Sequence, residues 1–275
     1  MKKVMLVLGV FGLLSLVTLL PQVNAQGNTR NDFVPPIVFQ AAGPTVESIQ
    51  GTVNQYRAAL GEPNNANTAG PLASGRREIN WDGGGSATTV SPTPFTGFLN
   101  IRGALFTTPG TGFVQAPPAG IADTFADPTY AMIFQTFSAP RLFSPIGSNF
   151  TEVDFFIPGT AADANGPTPA TTTGFGAIFT DIDQPDGSGP GRKRGNRKAT
   201  TLIEYFGAGG NLLFSSFVPA SPGDASLSFF GIVFDDARIA RVRITSGDTA
   251  PGPDDDQQDI VVMDDFLYGE PQPAQ

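Results

Sequence analysis

The sequence lacks two residue types on which much protein chemistry depends. Its 275 residues include no cysteine, no histidine and only one tryptophan. Without cysteine the chain has no disulfides, thiol nucleophiles or thiolate metal sites, and without histidine it has no histidine-based triad, general base or metal ligand. Chemistry is therefore left to the Asp, Glu, Arg, Lys, Ser, Thr and Tyr side chains.

The residues that are present favour a β-rich globular domain. The chain has 33 Gly and 25 Pro, too many helix breakers for a helical protein, yet 40% of its residues are hydrophobic, which is too apolar for disorder. Acidic residues outnumber basic ones by 25 to 16. This balance disfavours a nucleic acid or an anionic membrane as a partner.

The first 25 residues have the pattern of an export signal. Lys2 and Lys3 precede an apolar run from Val4 to Leu20, and Val23-Asn24-Ala25 is typical of a cleavage site. We predict a signal peptide over 1–25 and a secreted or periplasmic protein, with no membrane span after cleavage. The alternative is an uncleaved membrane anchor.

The next segments predict one early helix. Residues 26–45 are polar and contain proline, which predicts a flexible leading segment. Apolar residues then recur at intervals of three and four: Val46, Ile49, Val53, Tyr56 and Leu60. This spacing predicts an amphipathic helix over 46–60.

From Arg76 onward the pattern is that of strands. Short apolar segments alternate with Gly, Pro and Asp turns, which predicts an antiparallel sandwich or barrel. The predicted strands are 76–81, 130–137, 151–157, 173–181, 201–206, 211–218, 227–235, 238–245 and 260–268.

Four of these segments, in this order, resemble the C-terminal half of jelly-roll domains in exported bacterial proteins, including proteins with PEP-CTERM-type sorting tails and lectin-like modules. They are GFGAIFTDID (174–183), 201–220, 227–244 and VVMDDFLYG (261–269). GRREINWDG (75–83) and 101–113 resemble a wider exported family of unknown function. The resemblance implies an all-β, antiparallel jelly-roll-like β-sandwich over 46–269, with a tail over 270–275, and implies no activity. The ending GEPQPAQ differs from a sorting tail, which favours release.

Two acidic motifs are candidate metal sites. Asp181, Asp183 and Asp186 end a strand and enter a glycine-rich loop, a setting that suits Ca²⁺; the alternative is a polar turn. Strand alternation predicts that Asp264 and Asp265 lie on opposite faces, so that one points toward the core and needs a cation, an arginine or backbone donors. We expect Arg76 or Arg77 as that partner, with Asp264 as a further candidate metal ligand.

Two other motifs are candidate ligand sites. Arg192, Lys193 and Arg194 belong to a basic run that could bind a phosphate, a sulfated sugar or an acidic partner, or could be a solvated loop. Trp81 and Asp82 precede three glycines. An exposed Trp81 would be a platform for a sugar ring, whereas a buried one would anchor the core.

Together these features predict an exported, non-enzymatic protein that binds a glycan or another cell-surface component, with Ca²⁺ assisting. One alternative is a polysaccharide hydrolase that uses an Asp/Glu pair, because that chemistry needs no histidine. Its candidate carboxylates are Glu78, Asp82, Glu152, Asp154 and Glu204. The other alternative is a structural matrix component.

Overall fold

The computed structural model describes residues 34–183, 200–253 and 258–274. Its strands, in chain order, are β1 (Ile37–Gly43), β2 (Arg76–Ile79), β3 (Thr89–Pro92), β4 (Ala104–Thr107), β5 (Gly112–Ala116), β6 (Leu142–Ile146), β7 (Phe150–Phe155), β8 (Ala170–Thr171), β9 (Gly174–Thr180), β10 (Leu202–Phe206), β11 (Leu212–Phe217), β12 (Leu227–Val233), β13 (Arg241–Thr245), β14 (Val262–Gly269) and β15 (Gln272–Pro273). Its helices are α1 (Val46–Leu60), α2 (Leu99–Arg102), α3 (Pro118–Phe125) and α4 (Tyr130–Ile133), with a 3-10 turn at Asp82–Gly84.

The strands form two main antiparallel sheets. Sheet A has the order β1-β12-β9-β14-β6-β5-β3, with β2 also paired to β14, and sheet B has the order β11-β10-β13-β7-β4. Strands β8 and β15 form a small separate pair. The fold is thus mostly β and antiparallel, as the turn-separated strand pattern predicted.

A core rich in phenylalanine joins the two sheets. One hydrophobic cluster combines residues of sheet A such as Phe143 and Phe175 with residues of sheet B such as Val153 and Tyr205. Trp81 stacks on Phe143 within it, with ring centroids 3.7 Å apart. Each buried aromatic ring removes about 150–250 Å² from water, so this cluster is the main source of stability in a chain without disulfides.

Helices cover the outer face of sheet A. Helix α1 buries Ile49, Val53, Tyr56 and Leu60 against β9, β12 and β14, and α3 and α4 pack on β5, β6 and β14. Tyr56 lies over Gly176 and Gly231, which are paired across β9 and β12. A Cβ atom on either glycine would lie 2.8 Å from the tyrosine ring. The two glycines therefore permit the close approach of the helix to the sheet.

The range of α1, Val46–Leu60, coincides with the helix predicted from the apolar spacing. The backbone N–H of Gly61 donates to Arg57 O at its end, and Gly61 has a left-handed φ of 108° that glycine adopts at low cost. None of the helices in the described ranges is long and apolar enough to cross a membrane. The predicted signal peptide (1–25) and residues 26–33 lie outside those ranges.

The prediction of a flexible segment over 26–45 is wrong for residues 37–43. They form β1, which pairs with β12 through all seven of its residues. Its large apolar residues, Ile37 to Phe39, are consecutive and do not alternate with polar ones, and they directly follow Pro35 and Pro36. Its partner lies about 190 positions away in the sequence, so only the tertiary fold identifies it as a strand.

Two further predictions need correction. Residues 130–137 were predicted to form a strand, but Tyr130–Ile133 is helix α4, and Tyr130 packs on Phe134 with ring centroids 4.9 Å apart, a helical spacing of four. Residues 270–275 were predicted to be a tail. Instead Glu270 is buried in an ion pair with Arg77 at 2.7 Å, and β15 pairs with β8.

Candidate binding surface

The outer side of sheet B differs from that of sheet A because none of the helices in the described part of the chain packs on it. Among the described residues, the clusters under α1 and under α3 and α4 include no residue of sheet B. Strands β7, β10 and β13 alternate strictly, with Val153, Tyr205 and Val242 in the core and their neighbours facing outward. We call this outward side of β4, β7, β13, β10 and β11 the uncovered face.

The strand register arranges the uncovered face in rows across the strands. One row is polar: Thr107, Glu152, Arg243, Glu204 and Ser215. The adjacent row is mostly apolar: Phe150, Thr245, Leu202 and Phe217. Phe150 and Phe217 expose 40% and 51% of their surface, which is unusual for phenylalanine.

A pocket of about 400 Å³ opens on this face at the end of both rows. Its lining comes from β4, the turn after it, β7 and β13: Thr107, Thr108, Pro109, Phe150, Glu152 and Arg243. The volume lies within the range of small-molecule pockets, about 300–1,000 Å³. The lining combines an aromatic ring, hydroxyl groups and one charged pair.

That charged pair is Arg243 with Glu152, which are direct cross-strand neighbours. Arg243 donates from Nε at 2.9 Å and from Nη2 at 2.6 Å, and both bonds are accepted by Oε1 of Glu152. Oε2 of Glu152 and Nη1 of Arg243 take no part in the pair. The site therefore presents an acceptor, Glu152 Oε2, beside a donor, Arg243 Nη1, and the ion pair holds both side chains in place.

A second arginine lies in the next row. Arg241 places its guanidinium carbon 4.8 Å from the centroid of the Phe206 ring, and Arg243 lies over the same ring at 5.6 Å. Across the strands Arg241 faces Asp154. Partial burial raises the pKa of Asp154, while the charge of Arg241 acts in the opposite direction.

The candidate sugar platform at Trp81 is contradicted by the structure. Trp81 is only 1% exposed, stacks on Phe143 and donates from Nε1 to Asp264 O at 2.8 Å. It is a core anchor, the alternative that the sequence left open. Asp82 is half-buried, and its Oδ1 accepts from the backbone N–H of Arg141 at 3.0 Å, so it holds the turn that follows β2.

Asp264 and Asp265 do not lie on opposite faces. The register of β14 against β9 shifts between Met263 and Phe266, so three steps along β14 match two along β9. Such a β-bulge places two consecutive residues on one side of the strand. Met263 and Phe266 both join the core between the sheets. The two aspartates lie on the helix-covered side, where Phe137 donates to Asp264 and Arg57 of α1 lies near Asp265.

The two carboxyl groups hydrogen-bond each other and are almost fully buried, at 0% and 3% exposure. Phe137 N donates to Asp264 Oδ2 at 2.6 Å, and Ser138 Oγ donates to Asp265 Oδ1 at 2.5 Å. Burial raises the pKa of Asp264 well above its usual value, and the neighbouring carboxylate adds to the rise. Burial also raises the pKa of Asp265, although the bond from Ser138 opposes that rise.

The arginine partner predicted for this pair is also wrong. The cation near it is Arg57 of α1, whose Nη2 lies 3.9 Å from Asp265 Oδ2. Arg76 instead pairs with Glu62 and Glu78, and Arg77 pairs with Glu270. The helix that supplies Arg57 is brought to β14 only by packing, so spacing along the sequence could not identify it.

Of the predicted metal ligands, the three that lie within the described residues, Asp181, Asp183 and Asp264, do not form a metal-binding group. Asp183 Oδ1 accepts from Gly223 N at 2.8 Å, and Asp181 has a φ of 68° and donates its backbone N–H to Ser226 O. Neither contact joins them to Asp264. Over 34–183, 200–253 and 258–274, no group of three or more Asp or Glu is arranged to hold a metal ion. The remaining candidates, Asp186, Arg192, Lys193 and Arg194, lie outside the described residues.

Comparison with protein-family models, curated proteins and solved structures finds no match for the chain.

Sequence reasoning identified Glu152 only as a possible hydrolase carboxylate and missed Phe150, Arg243 and the turn at Thr107–Pro109. A signal was present in β13, where arginines at 241 and 243 alternate with apolar residues and so share the outward face. The pairing of β13 with β7 places Arg243 beside Glu152, which lies 91 residues earlier in the sequence.

Proposed function

We propose that the protein is an exported, non-enzymatic glycan-binding protein with a jelly-roll β-sandwich, and that the glycan binds on the uncovered face. The export part rests on residues 1–25 of the sequence. The binding part rests on one observation: the pocket that combines Phe150 with the Arg243–Glu152 pair.

The strand pairing supports the jelly-roll topology. Among the eight strands β6, β7 and β9–β14, the first pairs with the last, the second with the seventh, the third with the sixth and the fourth with the fifth. Nested pairing of this kind is what a long antiparallel ribbon gives when it rolls into two sheets, as in double Greek-key folds.

The chemistry of the pocket suits a sugar. A sugar ring has an apolar face of C–H groups, which the exposed ring of Phe150 can contact, and hydroxyls at its edge that both donate and accept. Adjacent hydroxyls match the paired acceptor and donor of Glu152 and Arg243. The hydroxyls of Thr107 and Thr108 supply further partners.

A panel of neutral and acidic oligosaccharides tests this proposal. We expect the full-length protein, expressed for export and purified, to bind at least one neutral member, and Arg243→Ala to weaken binding at least tenfold. Arg238→Ala is the matched control, because Arg238 is also a partly exposed, ion-paired arginine but lies outside sheet B, in the connection between β12 and β13. Folded protein that binds no member of the panel would refute the proposal.

Asp154 favours a hydrolase as the second candidate. Its raised pKa suits a general acid, and Glu152 lies two residues away on the same side of β7. Two residues of strand span about 6.8 Å, close to the separation of about 6.5–9.5 Å found in inverting glycosidases. Release of reducing sugar that is abolished by Asp154→Asn would establish this candidate in place of binding alone.

Calcium assistance stays a prediction, since Asp186 lies outside the described residues. Thermal unfolding of the protein in Ca²⁺ and in chelator tests it. A cation present at 100 times its Kd that binds only the folded state should add about 2.7 kcal/mol of stability. Equal unfolding temperatures would leave Asp181 and Asp183 as turn residues.

A further inference from the structure

The row from Phe150 to Phe217 extends well beyond the pocket. It crosses four adjacent strands, β7, β13, β10 and β11, through Thr245 and Leu202. Neighbouring strands lie about 4.8 Å apart, so the two phenylalanines are separated by roughly 14 Å. Both ends of the row therefore offer an exposed aromatic ring, and only one of them belongs to the pocket.

The two rows together form an amphipathic strip. The row of Phe150, Leu202 and Phe217 carries no charged residue, and the parallel row places Glu152, Arg243 and Glu204 along its side. A sugar chain laid along the apolar row would rest its ring faces on the phenylalanines and point its hydroxyl edges at the charged row. One sugar residue of a linear chain advances about as far as one strand spacing.

The charges of the strip also limit the charge of the ligand. Glu152 and Glu204 flank Arg243 on either side across the sheet, so the row is alternately negative, positive and negative. The guanidinium of Arg243 is already paired with Glu152. A sulfated or carboxylated sugar would therefore meet two carboxylates and one neutralised cation, whereas a neutral sugar would meet only hydrogen-bonding groups.

We propose that the uncovered face binds a neutral, unbranched oligosaccharide of about four residues, which runs across the strands from Phe150 to Phe217. This inference rests on the proposed glycan-binding function and adds the length, direction and charge of the ligand.

A series of oligosaccharides from one to six residues tests the inference by titration calorimetry, with β-1,4-linked glucose, xylose and mannose as the probes. We expect affinity to rise up to about four residues and then to level off. Phe217→Ala should weaken binding of the tetrasaccharide about tenfold and leave the monosaccharide and disaccharide unchanged. Phe150→Ala should weaken all of them.

Leu212→Ala is the matched control, because Leu212 is an equally exposed apolar residue of the same strand that lies outside the apolar row. It should bind every probe as the unsubstituted protein does. Affinity that is equal for one and six residues, with Phe217→Ala without effect, would overturn the inference but leave the pocket as a monosaccharide site.

Other outcomes separate the inference from the proposed function. Tighter binding of uronic-acid or sulfated oligomers of the same length would overturn the neutral ligand. Failure of every probe to bind, with the fold intact by circular dichroism, would overturn both the inference and the proposed function. Concentration-dependent self-association that Phe217→Ala abolishes would identify the strip as an interface between copies of the chain and overturn the inference.

Discussion

The strands of the two sheets differ in their burial pattern because the outer faces of the sheets differ in what covers them. Strands β9, β12 and β14 are buried at every position, because the core lies on one side and helices lie on the other. Strands β7, β10 and β13 alternate between buried and partly exposed residues, because only their inner side is covered. The comparison shows that the burial pattern of these central strands distinguishes the sheet covered by helices from the sheet whose outer side no described helix covers.

The two faces also differ in how exposed their charged residues are. On the uncovered face the Arg243–Glu152 pair is partly exposed and lies at a pocket. On the covered face Asp264 and Asp265 are sealed under Phe137 and Ser138 by the bulge in β14. Charge on the first face is reached by solvent, whereas charge on the second is buried and would destabilise the fold.

The largest difference should come from deleting one aromatic ring on each face. Tyr56→Ala removes a fully buried ring that packs on Phe39 and Phe229, and should cost about 3–5 kcal/mol in the free energy of unfolding. Phe217→Ala removes a half-exposed ring and should cost less than about 0.5 kcal/mol. Denaturant unfolding of both variants checks this, and equal losses would show that the faces do not differ.

A smaller loss is expected where the covering helix touches the sheet. Gly231→Ala would place a Cβ atom 2.8 Å from the Tyr56 ring and 3.1 Å from Gly176 Cα. Overpacking of this kind should cost about 1–3 kcal/mol. Gly51→Ala is the control, since nothing lies within 4 Å of a Cβ there, and in mid-helix it should stabilise by about 0.5–1 kcal/mol. Thermal unfolding of the two variants should shift in opposite directions.

The buried carboxyl pair should make stability depend on pH. The pKa of Asp264 is raised in the folded state, so its protonated carboxyl group contributes to the free energy of unfolding. This contribution is complete below the usual pKa near 3.8 and is lost as the pH rises through the raised pKa. Asp264→Asn keeps the shape of the protonated acid and should be more stable than the unsubstituted protein at pH 8, by about 1.4 kcal/mol for each unit of pKa shift.

Unfolding measured from pH 4 to pH 8 tests this expectation. Asp235→Asn is the control, since Asp235 forms an exposed ion pair with Arg238. It should follow the profile of the unsubstituted protein. Parallel profiles for Asp264→Asn and the unsubstituted protein would show that the pair carries no pH dependence.

A small effect on stability is also expected in the pocket. Arg243→Ala breaks a partly exposed ion pair and should cost less than about 1 kcal/mol. The same variant should lose glycan binding, so that stability and binding separate on this face. A variant that loses both together would indicate that the pair supports the sheet rather than a ligand.

Much of the fold could be predicted from local pattern. Helix α1 follows from apolar residues three and four apart, and strands such as β10 and β13 follow from alternation between turns. What failed depended on distant partners. Strand β1 is identified only by β12, and residues 130–137 form no strand because Tyr130 and Phe134 pack together in the cluster under α3 and α4.

The candidate site was harder to predict because the register between strands decides which of its residues are neighbours. Alternation correctly indicates that Arg241 and Arg243 share a face, but the partners of that face come from β7 and β4. The bulge at Asp264 could not be predicted for the same reason, since the extra residue is defined only by the pairing of β14 with β9. The sequence around Trp81 was compatible with an exposed sugar platform and with a core anchor, and its stacking on Phe143 identifies it as a core anchor.

We propose that the uncovered face is where the ligand binds. Backbone amide chemical shifts, measured as the tetrasaccharide that binds most tightly is added, test it most directly. We expect shifts along β7, β13, β10 and β11, centred on Phe150, Arg243 and Phe217, with the resonances of α1 unchanged. Shifts confined to α1, α3 and α4 on the covered face would contradict it.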